Sequence, residues 1–357
     1  MRLISYSVYV GLMVWLVGAC KQATPELAPT AMDSIGVVGT LASAKALMVE
    51  NRPANIVALA VDPTGNLYAA DVANSLIRKI TPSGEVSTFA GTGQAGYRNG
   101  AVSLAQFSGL ASLAFDKTGN LYVGEGFENT CVRKITPTGV VSTFAGEPFG
   151  SKPITFDPST SPDGPDTSAR FISVVSLAFD SADNLFASDV GSINRYASNA
   201  VRKITPDGYV RTIAGYASGL AYQGKLIGNT PAPFRFLSLA INKTNTLVGV
   251  DNLNQLLYQI TPTGDISLLL SSKPLSNSHS LVYDSSNNLL VANGQQVVQI
   301  SPTGVTRVLT GANQASFVND SLRLARFSYI SALAIDTKNT LYIADQGNQC
   351  IRRVRLK

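Results

Sequence analysis

The chain has 357 residues, of which 14% are charged and 45% are hydrophobic, and its formal net charge is +5. This composition excludes a disordered chain, a coiled coil and a collagen-like rod. Because the sequence contains one histidine, it also excludes metal sites that need two or three imidazole ligands.

The first nineteen residues have the pattern of a secretory signal peptide. Arg2 is their single basic residue, an apolar stretch covers residues 4–17, and small residues lead into Cys20. A basic start, an apolar middle and small residues at the cut are typical of a signal peptide, and the stretch is short for a transmembrane helix. We therefore predict a signal over residues 1–19.

The end of this signal resembles the lipobox of bacterial lipoproteins. The resemblance implies cleavage before Cys20 and acylation of its thiol, which anchors a folded domain to a membrane without spanning it. The alternative is a plain signal peptide with an incidental cysteine. Lys21 stands where an aspartate would favour inner-membrane retention in those families, so we expect a cell-envelope protein of the outer membrane. Residues 20–32 then form the lipidated cysteine and its tether.

The rest of the chain consists of six copies of one pattern. Each copy holds two strand–turn–strand units, the first with an Asp-x-x-Gly/Asn-Asn/Thr turn and the second with Thr/Ser-Pro-x-Gly. The first residues of the first turn are Asp62, Asp116, Asp180, Asn242, Asp284 and Asp336. Proline presets the turn and glycine accepts positive φ, so both units are tight hairpins.

Four short antiparallel strands repeated six times predict an all-β fold, a six-bladed β-propeller over residues 33–357. The sixth copy stops after its third strand, and residues 33–40 have the pattern of the missing fourth one. We therefore expect the N-terminal strand to complete the last blade and close the ring, which leaves no long free edge.

The repeats resemble the NHL family. The resemblance rests on Asp-x-x-Gly-Asn-Leu-Tyr-x-Ala-Asp, on Asn-x-x-Ile-Arg-Lys-Ile, and on the connector Ala-x-Phe at 105–107, 169–171 and 325–327. Copies 4 and 5 are degenerate. The resemblance implies the fold and leaves the activity open. Some NHL propellers bind RNA, but an exported lipoprotein rarely meets nucleic acid, so we predict no nucleic-acid partner.

All the long connections are expected on one face of the propeller, called here the loop face, and all the tight turns on the other, the tight-turn face. Long loops on a rigid scaffold commonly carry binding residues, and aromatic and arginine side chains are common anchors at interfaces. We therefore predict a protein or glycan ligand on the loop face. The candidate contacts are Tyr97, Arg98, Arg195, Tyr196, Tyr216, Tyr222 and Tyr329.

A carboxylate ends the second strand of nearly every copy. These residues are Asp71, Glu125, Asp189, Asp251 and Asp345. A ring of them is a candidate Ca²⁺ site, since that cation prefers oxygen ligands; no other cofactor is predicted. The alternative is that each carboxylate accepts hydrogen bonds from its own loop, helped by the asparagine that follows it.

The remaining motifs predict structure rather than chemistry. Gly91–Gly96 matches GxGxxG but precedes no helix, so it is expected to be a loop. Cys131 and Cys350 align within the repeat and are expected to be buried free thiols. His279 has no nucleophile motif beside it. The basic pairs of the third strands, such as Arg133 and Lys134, are expected on a solvated or salt-bridged blade surface.

A binding or scaffold module is therefore the favoured function, with enzyme activity left uncertain. The rival is a metal-dependent hydrolase similar to gluconolactonase-like propellers, which requires several loop-face acids to converge on the axis. An NHL-like lyase that uses histidines with zinc conflicts with the single histidine.

Overall fold

The computed structural model describes residues 35–126, 128–148, 163–191, 199–216, 226–227, 235–270, 275 and 277–357. Its strands form six antiparallel sheets of four strands arranged in a ring, which confirms the predicted six-bladed propeller. Three blades carry a short fifth strand at the outer edge. Within the described residues, no helix has the length and apolar character needed to cross a membrane.

The strands are numbered in chain order and grouped here by blade, from the axis outwards. Blade 1 contains β2 (Ile56–Val61), β3 (Leu67–Asp71), β4 (Leu76–Ile80) and β5 (Val86–Ala90). Blade 2 contains β7 (Leu110–Phe115), β8 (Leu121–Glu125), β9 (Cys131–Ile135), β10 (Val140–Ala145) and the edge strand β6 (Gly100–Ala101). Blade 3 contains β11 (Val174–Phe179), β12 (Leu185–Val190), β13 (Asn199–Ile204) and β14 (Val210–Tyr216).

Blade 4 contains β16 (Phe236–Ile241), β17 (Leu247–Asp251), β18 (Leu256–Ile260), β19 (Ile266–Leu268) and the edge strand β15 (Leu226–Ile227). Blade 5 contains β20 (Ser278–Tyr283), β21 (Leu289–Asn293), β22 (Gln296–Ile300) and β23 (Thr306–Gly311). Blade 6 contains β25 (Ile330–Ile335), β26 (Thr340–Asp345), β27 (Cys350–Arg355), β1 (Val37–Ala42) and the edge strand β24 (Asp320–Ser321). Short helices cover Ala44–Leu47, Asp166–Ser168 and Gln346–Asn348.

The ring closes through the N-terminal strand, as predicted. β1 pairs antiparallel with β27, with Gly39 opposite Arg353 and Thr40 opposite Arg352. The strand begins at Val37 rather than at residue 33, and Gly36 donates to the Arg355 carbonyl at 2.9 Å. Both ends of the described chain, Ile35 and Lys357, therefore lie on the tight-turn face.

The first turn of each copy is held by its leading side chain. Asp62 Oδ1 accepts from the backbone N–H groups of Thr64 and Asn66, both at 2.9 Å, and its Oδ2 accepts from Asn66 Nδ2 at 2.9 Å. Burial acts to raise the pKa of Asp62, but these hydrogen bonds outweigh it and lower that pKa below its usual value. The repeated aspartates at these positions therefore have the turn chemistry expected from the sequence.

Small residues line the inner strands and larger ones fill the widening space between blades. Ala60 on β2 stands opposite Tyr68 on β3, whose ring packs edge-on against Phe89 and Phe115 with centroids 4.8 and 5.0 Å away. Aromatic pairs of this geometry stabilise a core beyond the area they bury. The hydrophobic core is thus a series of inter-blade clusters around the ring.

Serine hydroxyls join neighbouring inner strands. Ser176 Oγ accepts from the Leu239 N–H at 2.9 Å, Ser238 Oγ from Leu281 at 3.1 Å and Ser280 Oγ from Leu333 at 3.0 Å. Inner strands do not pair with each other in sheets, so these hydroxyls satisfy backbone donors that the sheets leave free.

Candidate functional site

The six inner strands enclose a cavity of about 150 Å³ on the propeller axis. Its wall comes from the first half of each inner strand, and aliphatic residues such as Val57, Val175 and Leu237 dominate it. Blades 5 and 6 place His279 and Ser331 at the equivalent positions. Because inner strands start on the loop face, these polar groups lie near the loop-face mouth of the channel.

His279 is part of a polar arc at this mouth. Its Nε2 lies 2.6 Å from Asn277 Oδ1, and its ring packs edge-on against Tyr329 at a centroid distance of 5.5 Å. Desolvation by burial lowers the pKa of His279 and also raises that of the Tyr329 phenol, since burial penalises each charged form. Both side chains are therefore neutral at pH 7, and each can form hydrogen bonds with a neutral group.

The arc continues across blades 6 and 1. Gln346 donates its backbone N–H to the Tyr329 carbonyl at 2.7 Å, and its side-chain amide donates to Asn55 Oδ1. Ser331 Oγ donates to the Ile56 carbonyl at 2.6 Å. The side-chain amides of Gln346 and Asn55 and the ring pair Tyr329–His279 thus lie along one side of the channel mouth.

The backbone of this rim is fixed by the residues that end the second strands. Asp71 Oδ1 accepts from the Asn55 N–H at 3.0 Å, and Asn293 Oδ1 accepts from the Asn277 N–H at 3.0 Å. Asp345 accepts likewise from Ser328, directly before Tyr329, at 2.9 Å. The residues that end the second strands therefore position the segment immediately before the inner strand.

These carboxylates are also held inside their own blades. The following asparagine donates to each of four of them, at 2.6–2.8 Å, from Asn74, Asn129, Asn254 and Asn348. The fifth such asparagine of the sequence, Asn194, lies outside the described residues.

Three of the carboxylates pair with fully buried arginines of the third strands. Arg133 Nη1 lies 3.0 Å from Glu125 Oε2, Arg202 Nη1 lies 3.1 Å from Asp189 Oδ2, and Arg352 Nη1 lies 3.1 Å from Asp345 Oδ2. All six side chains are 0% exposed. These arginines were expected on a solvated or salt-bridged blade surface. They are salt-bridged, but inside the blade and not on its surface, because the acid beside each one compensates its charge there.

The same arginines bind the connector that precedes the inner strand. Arg133 donates to the Gln106 carbonyl at 3.3 Å and the Arg98 carbonyl at 2.8 Å, and its guanidinium lies 5.3 Å from the Phe107 ring centroid. The phenylalanines of the other Ala-x-Phe connectors, Phe171 and Phe327, pack equally on Arg202 and Arg352. The connector motif is thus the partner of the buried ion pair, and neither it nor these guanidinium groups are available to a nucleic-acid backbone.

The buried acids do not fit a shared metal site. Burial raises the pKa values of Glu125, Asp189 and Asp345, while their arginines and hydrogen-bond donors oppose that rise. Asp71 and Asp251 are likewise fully buried, each in its own blade. Among the described residues, no three groups of the His, Cys, Asp or Glu type converge to hold a metal. The donor set that the hydrolase prediction requires is therefore not assembled in that part of the chain.

The predicted binding residues fall in different places. Tyr329 lies at the channel mouth, whereas the Tyr97 ring covers Arg133 at 4.5 Å and its hydroxyl bonds to Thr143 on the outer strand of blade 2. Arg98 is exposed beside Tyr97, and its carbonyl accepts from Arg133. Arg195, Tyr196, Tyr222 and the Tyr216 side chain lie outside the described residues, as does Cys20.

Asn55, Asn277 and Gln346 were not predicted from the sequence. Asn55 and Asn277 occupy the same repeat position in copies 1 and 5, but other residues occupy it in the remaining copies, and Gln346 occurs in one copy. The register of His279 supplied the available signal, because it takes the place of an aliphatic residue on an inner strand. The two cysteines are buried and free, as predicted, and the Gly91–Gly96 segment precedes no helix.

No protein-family model matches the chain. A segment of 72 residues, 20% of the chain, is 40% identical to the chloroplastic protein Suppressor of Quenching 1 of Arabidopsis thaliana, and it spans 7% of that protein. The NHL resemblance of the repeats stays a prediction.

Solved structures share the fold of the chain. A protein of unknown function from Bacteroides thetaiotaomicron is similar with a TM-score of 0.62 and 14% identity, over 89% of this chain and 75% of that one. A gluconolactonase of Xanthomonas campestris has a TM-score of 0.59 and 12% identity, over 93% and 94% of the two chains. An auxiliary nutrient binding protein of B. thetaiotaomicron has a TM-score of 0.58 and 13% identity, over 89% and 75%. At these identities the similarity establishes the β-propeller fold alone.

Proposed function

We propose that this protein is a lipid-anchored binding module of the bacterial cell envelope, and that it binds a protein or glycan ligand at the loop-face mouth of its channel. The observation that carries the proposal is the polar arc from Asn277 through His279 and Tyr329 to Gln346 and Asn55. Neutral amides, a phenol and an imidazole around a channel walled by aliphatic and serine residues have the composition of a ligand-binding site rather than of a charged catalytic centre.

The fold neighbours support a binding role without assigning a ligand. One is described as an auxiliary nutrient binding protein, and two others as gluconolactonases. Against the hydrolase alternative, the five loop-face carboxylates are bonded within separate blades. Elemental mass spectrometry of the purified protein tests this choice, because a stoichiometric metal whose chelation lowers the melting temperature would favour the hydrolase.

The binding site is tested with a photoreactive side chain at position 329 of the full-length chain, expressed in its native envelope. Position 209 is the matched control, since Tyr209 is 47% exposed and lies on the opposite face. We expect illumination to give a discrete adduct from position 329 and none from position 209. Adducts from position 209 alone, or from neither position, would contradict a ligand site at the channel mouth.

The anchor is tested separately. We expect mature protein to begin at Cys20 and to incorporate labelled fatty acid, and we expect Cys20→Ser to abolish that incorporation. An unacylated N-terminus at another residue would remove the lipoprotein part of the proposal and leave the binding part standing. The tether joins the propeller at the tight-turn face, so the proposal orients the loop face away from the membrane.

A further inference from the structure

A second cavity lies between blades 4 and 5 and opens on the tight-turn face. Its volume is about 390 Å³, within the 300–1,000 Å³ typical of small-molecule pockets. None of its fourteen lining residues carries a charge, and its rim combines amides and hydroxyls with a floor of aliphatic side chains. It is remote from the polar arc, because Tyr283 in its wall follows His279 by four residues, about 13 Å along the same strand.

The repeat changes at two positions beside this cavity. Val248 occupies the place that Tyr68, Tyr122 and Tyr342 fill in blades 1, 2 and 6. Gln259 occupies the place of the lysines that lie over tyrosine rings elsewhere, such as Lys79 over Tyr68 at 5.8 Å. The smaller valine removes an aromatic ring from the interface, and the glutamine removes the charge beside it.

Three polar groups at this cavity have unused hydrogen-bonding capacity. Within the described part of the chain, the Tyr283 hydroxyl and the Gln259 amide have no hydrogen-bond partner, and Asn287 Oδ1 is buried without one. Burial raises the pKa of Tyr283 to about 12, so this hydroxyl keeps its proton and remains a donor at neutral pH. A buried polar atom without a partner is costly, which favours a ligand that supplies one.

The equivalent asparagines show what Asn287 would otherwise do. Asn245 Oδ1 accepts from the Ser181 N–H at 2.9 Å and Asn339 Oδ1 accepts from the Ser285 N–H at 3.0 Å, each joining its turn to the preceding blade. All three asparagines have the same left-handed backbone, with φ between 60° and 63°. Asn287 keeps the conformation without the bond, and it is one of the residues that line the cavity.

The corresponding cavity between blades 1 and 2 is different. Its volume is about 310 Å³, but its rim includes Asp62 and Lys117, and both are already bonded within the protein. Its floor is the packed trio of Tyr68, Phe89 and Phe115. The neutral, unpaired polar groups therefore distinguish the cavity between blades 4 and 5 from the one between blades 1 and 2.

We propose that the cavity between blades 4 and 5 binds one ring of a neutral sugar. A pyranose ring presents hydroxyls that both donate and accept, which suits the Gln259 amide, the Tyr283 hydroxyl and Asn287 Oδ1. Its C–H surfaces suit the aliphatic floor around Val248. An anionic or cationic ligand finds no opposite charge there and would lose its hydration without compensation. This site goes beyond the proposed function, since it lies on the other face of the propeller.

The test uses the full-length protein in a detergent without a sugar headgroup. The probes are the methyl pyranosides of glucose, galactose, mannose and N-acetylglucosamine, with glucuronate as the charged comparison. Saturation-transfer NMR and calorimetry measure binding. The imidazole signals of His279 report on the loop-face site, and they are unambiguous because the chain has one histidine.

The central variant is Asn287→Gly, which keeps the left-handed backbone and removes the buried acceptor. We expect it to weaken binding of the preferred pyranoside roughly tenfold, the effect of losing one hydrogen bond to a buried group. Asn245→Gly is the matched control at the same turn position of blade 4, and we expect unchanged affinity. Val248→Tyr, which restores the side chain of blades 1, 2 and 6, should narrow the cavity and weaken binding.

Saturable binding of a neutral pyranoside that is lost in Asn287→Gly and leaves the His279 signals unmoved supports the proposal. Absence of binding for all four pyranosides, equal binding of glucuronate, or equal affinity in Asn287→Gly and the wild type overturns it. A pyranoside that shifts the His279 signals and binds the cavity variants with unchanged affinity also overturns the proposal. That result would favour a glycan ligand at the channel mouth. The photochemical result at position 329 is independent of all these outcomes.

Discussion

The buried ion pair of blade 2 offers the sharpest test of how this propeller is held together. Glu125 and Arg133 are both 0% exposed, and their charged atoms lie 3.0 Å apart. Removing one partner leaves the other as an uncompensated buried charge, which typically costs about 3–5 kcal/mol of folding free energy. We therefore expect Arg133→Met to destabilise the protein by that amount, and Glu125→Gln to do the same.

The double variant distinguishes a charge effect from lost packing. With both charges removed, no buried ion is left unpaired, so the double variant should cost no more than the larger single one. The coupling free energy is then about 3 kcal/mol or more, the cost of one uncompensated charge. Blade 5 shows that a blade forms its four strands without this ion pair, because Asn293 and Val298 stand there in place of Glu125 and Arg133.

The assay is urea unfolding followed by far-ultraviolet circular dichroism, with the wild type and three variants at one pH and salt concentration. Arg133 also binds the Gln106 and Arg98 carbonyls, so some loss will persist in the double variant. The reasoning would be refuted if the losses of unfolding free energy in the two single variants simply added in the double variant. A loss below about 1 kcal/mol for Arg133→Met would also refute it, since exposed ion pairs fall in that lower range.

Three further outcomes are expected. NMR titration should place the titration midpoint of His279 below pH 6.5, because burial lowers its pKa. As the pH falls below about 6.5, the imidazole is protonated in the unfolded chain before it is protonated in the folded one. The histidine therefore lowers the stability of the folded protein over that pH range. A midpoint at or above 6.5 would show that the imidazole is solvated. A chain that lacks residues 1–42 should elute as aggregates in size-exclusion chromatography, because β27 becomes a free edge. If it is a monomer with the melting temperature of the full-length chain, β1 does not close the ring. Iodoacetamide should leave Cys131 and Cys350 unmodified in the native protein and modify both in urea, since both thiols are buried; rapid native labelling would contradict that burial.

The strands, the tight turns and the closure of the ring were predictable from the sequence. The strand–turn–strand periodicity, the turn aspartates and the missing sixth outer strand all follow from local rules, so the six blades and the ring closure are predicted correctly. The placement of Tyr329 on the loop face and the shared repeat position of Cys131 and Cys350 belong to the same class. They depend on register along a strand, which the sequence pattern defines.

The burial of Arg133, Arg202 and Arg352 was not predictable from the same pattern. An arginine next to a lysine in a strand looks like part of a solvated or salt-bridged surface, and its partner acid ends a different strand. Only the pairing of second and third strands brings the two charges together and places the Ala-x-Phe ring on the guanidinium. The prediction of a Ca²⁺ ring met the same limit, because a shared position in the repeat does not say whether equivalent carboxylates converge or remain in separate blades.

The sequence by itself thus determined the number of blades, the strands, their tight turns and the order in which the ring closes, because hydrogen-bonded hairpins and alternating burial are local properties of a chain. The tertiary structure decided which polar groups meet. Asn55, His279 and Gln346 come from blades 1, 5 and 6, and the neutral cavity at Val248 and Asn287 lies between blades 4 and 5, so both sites exist only once different repeats pack against one another.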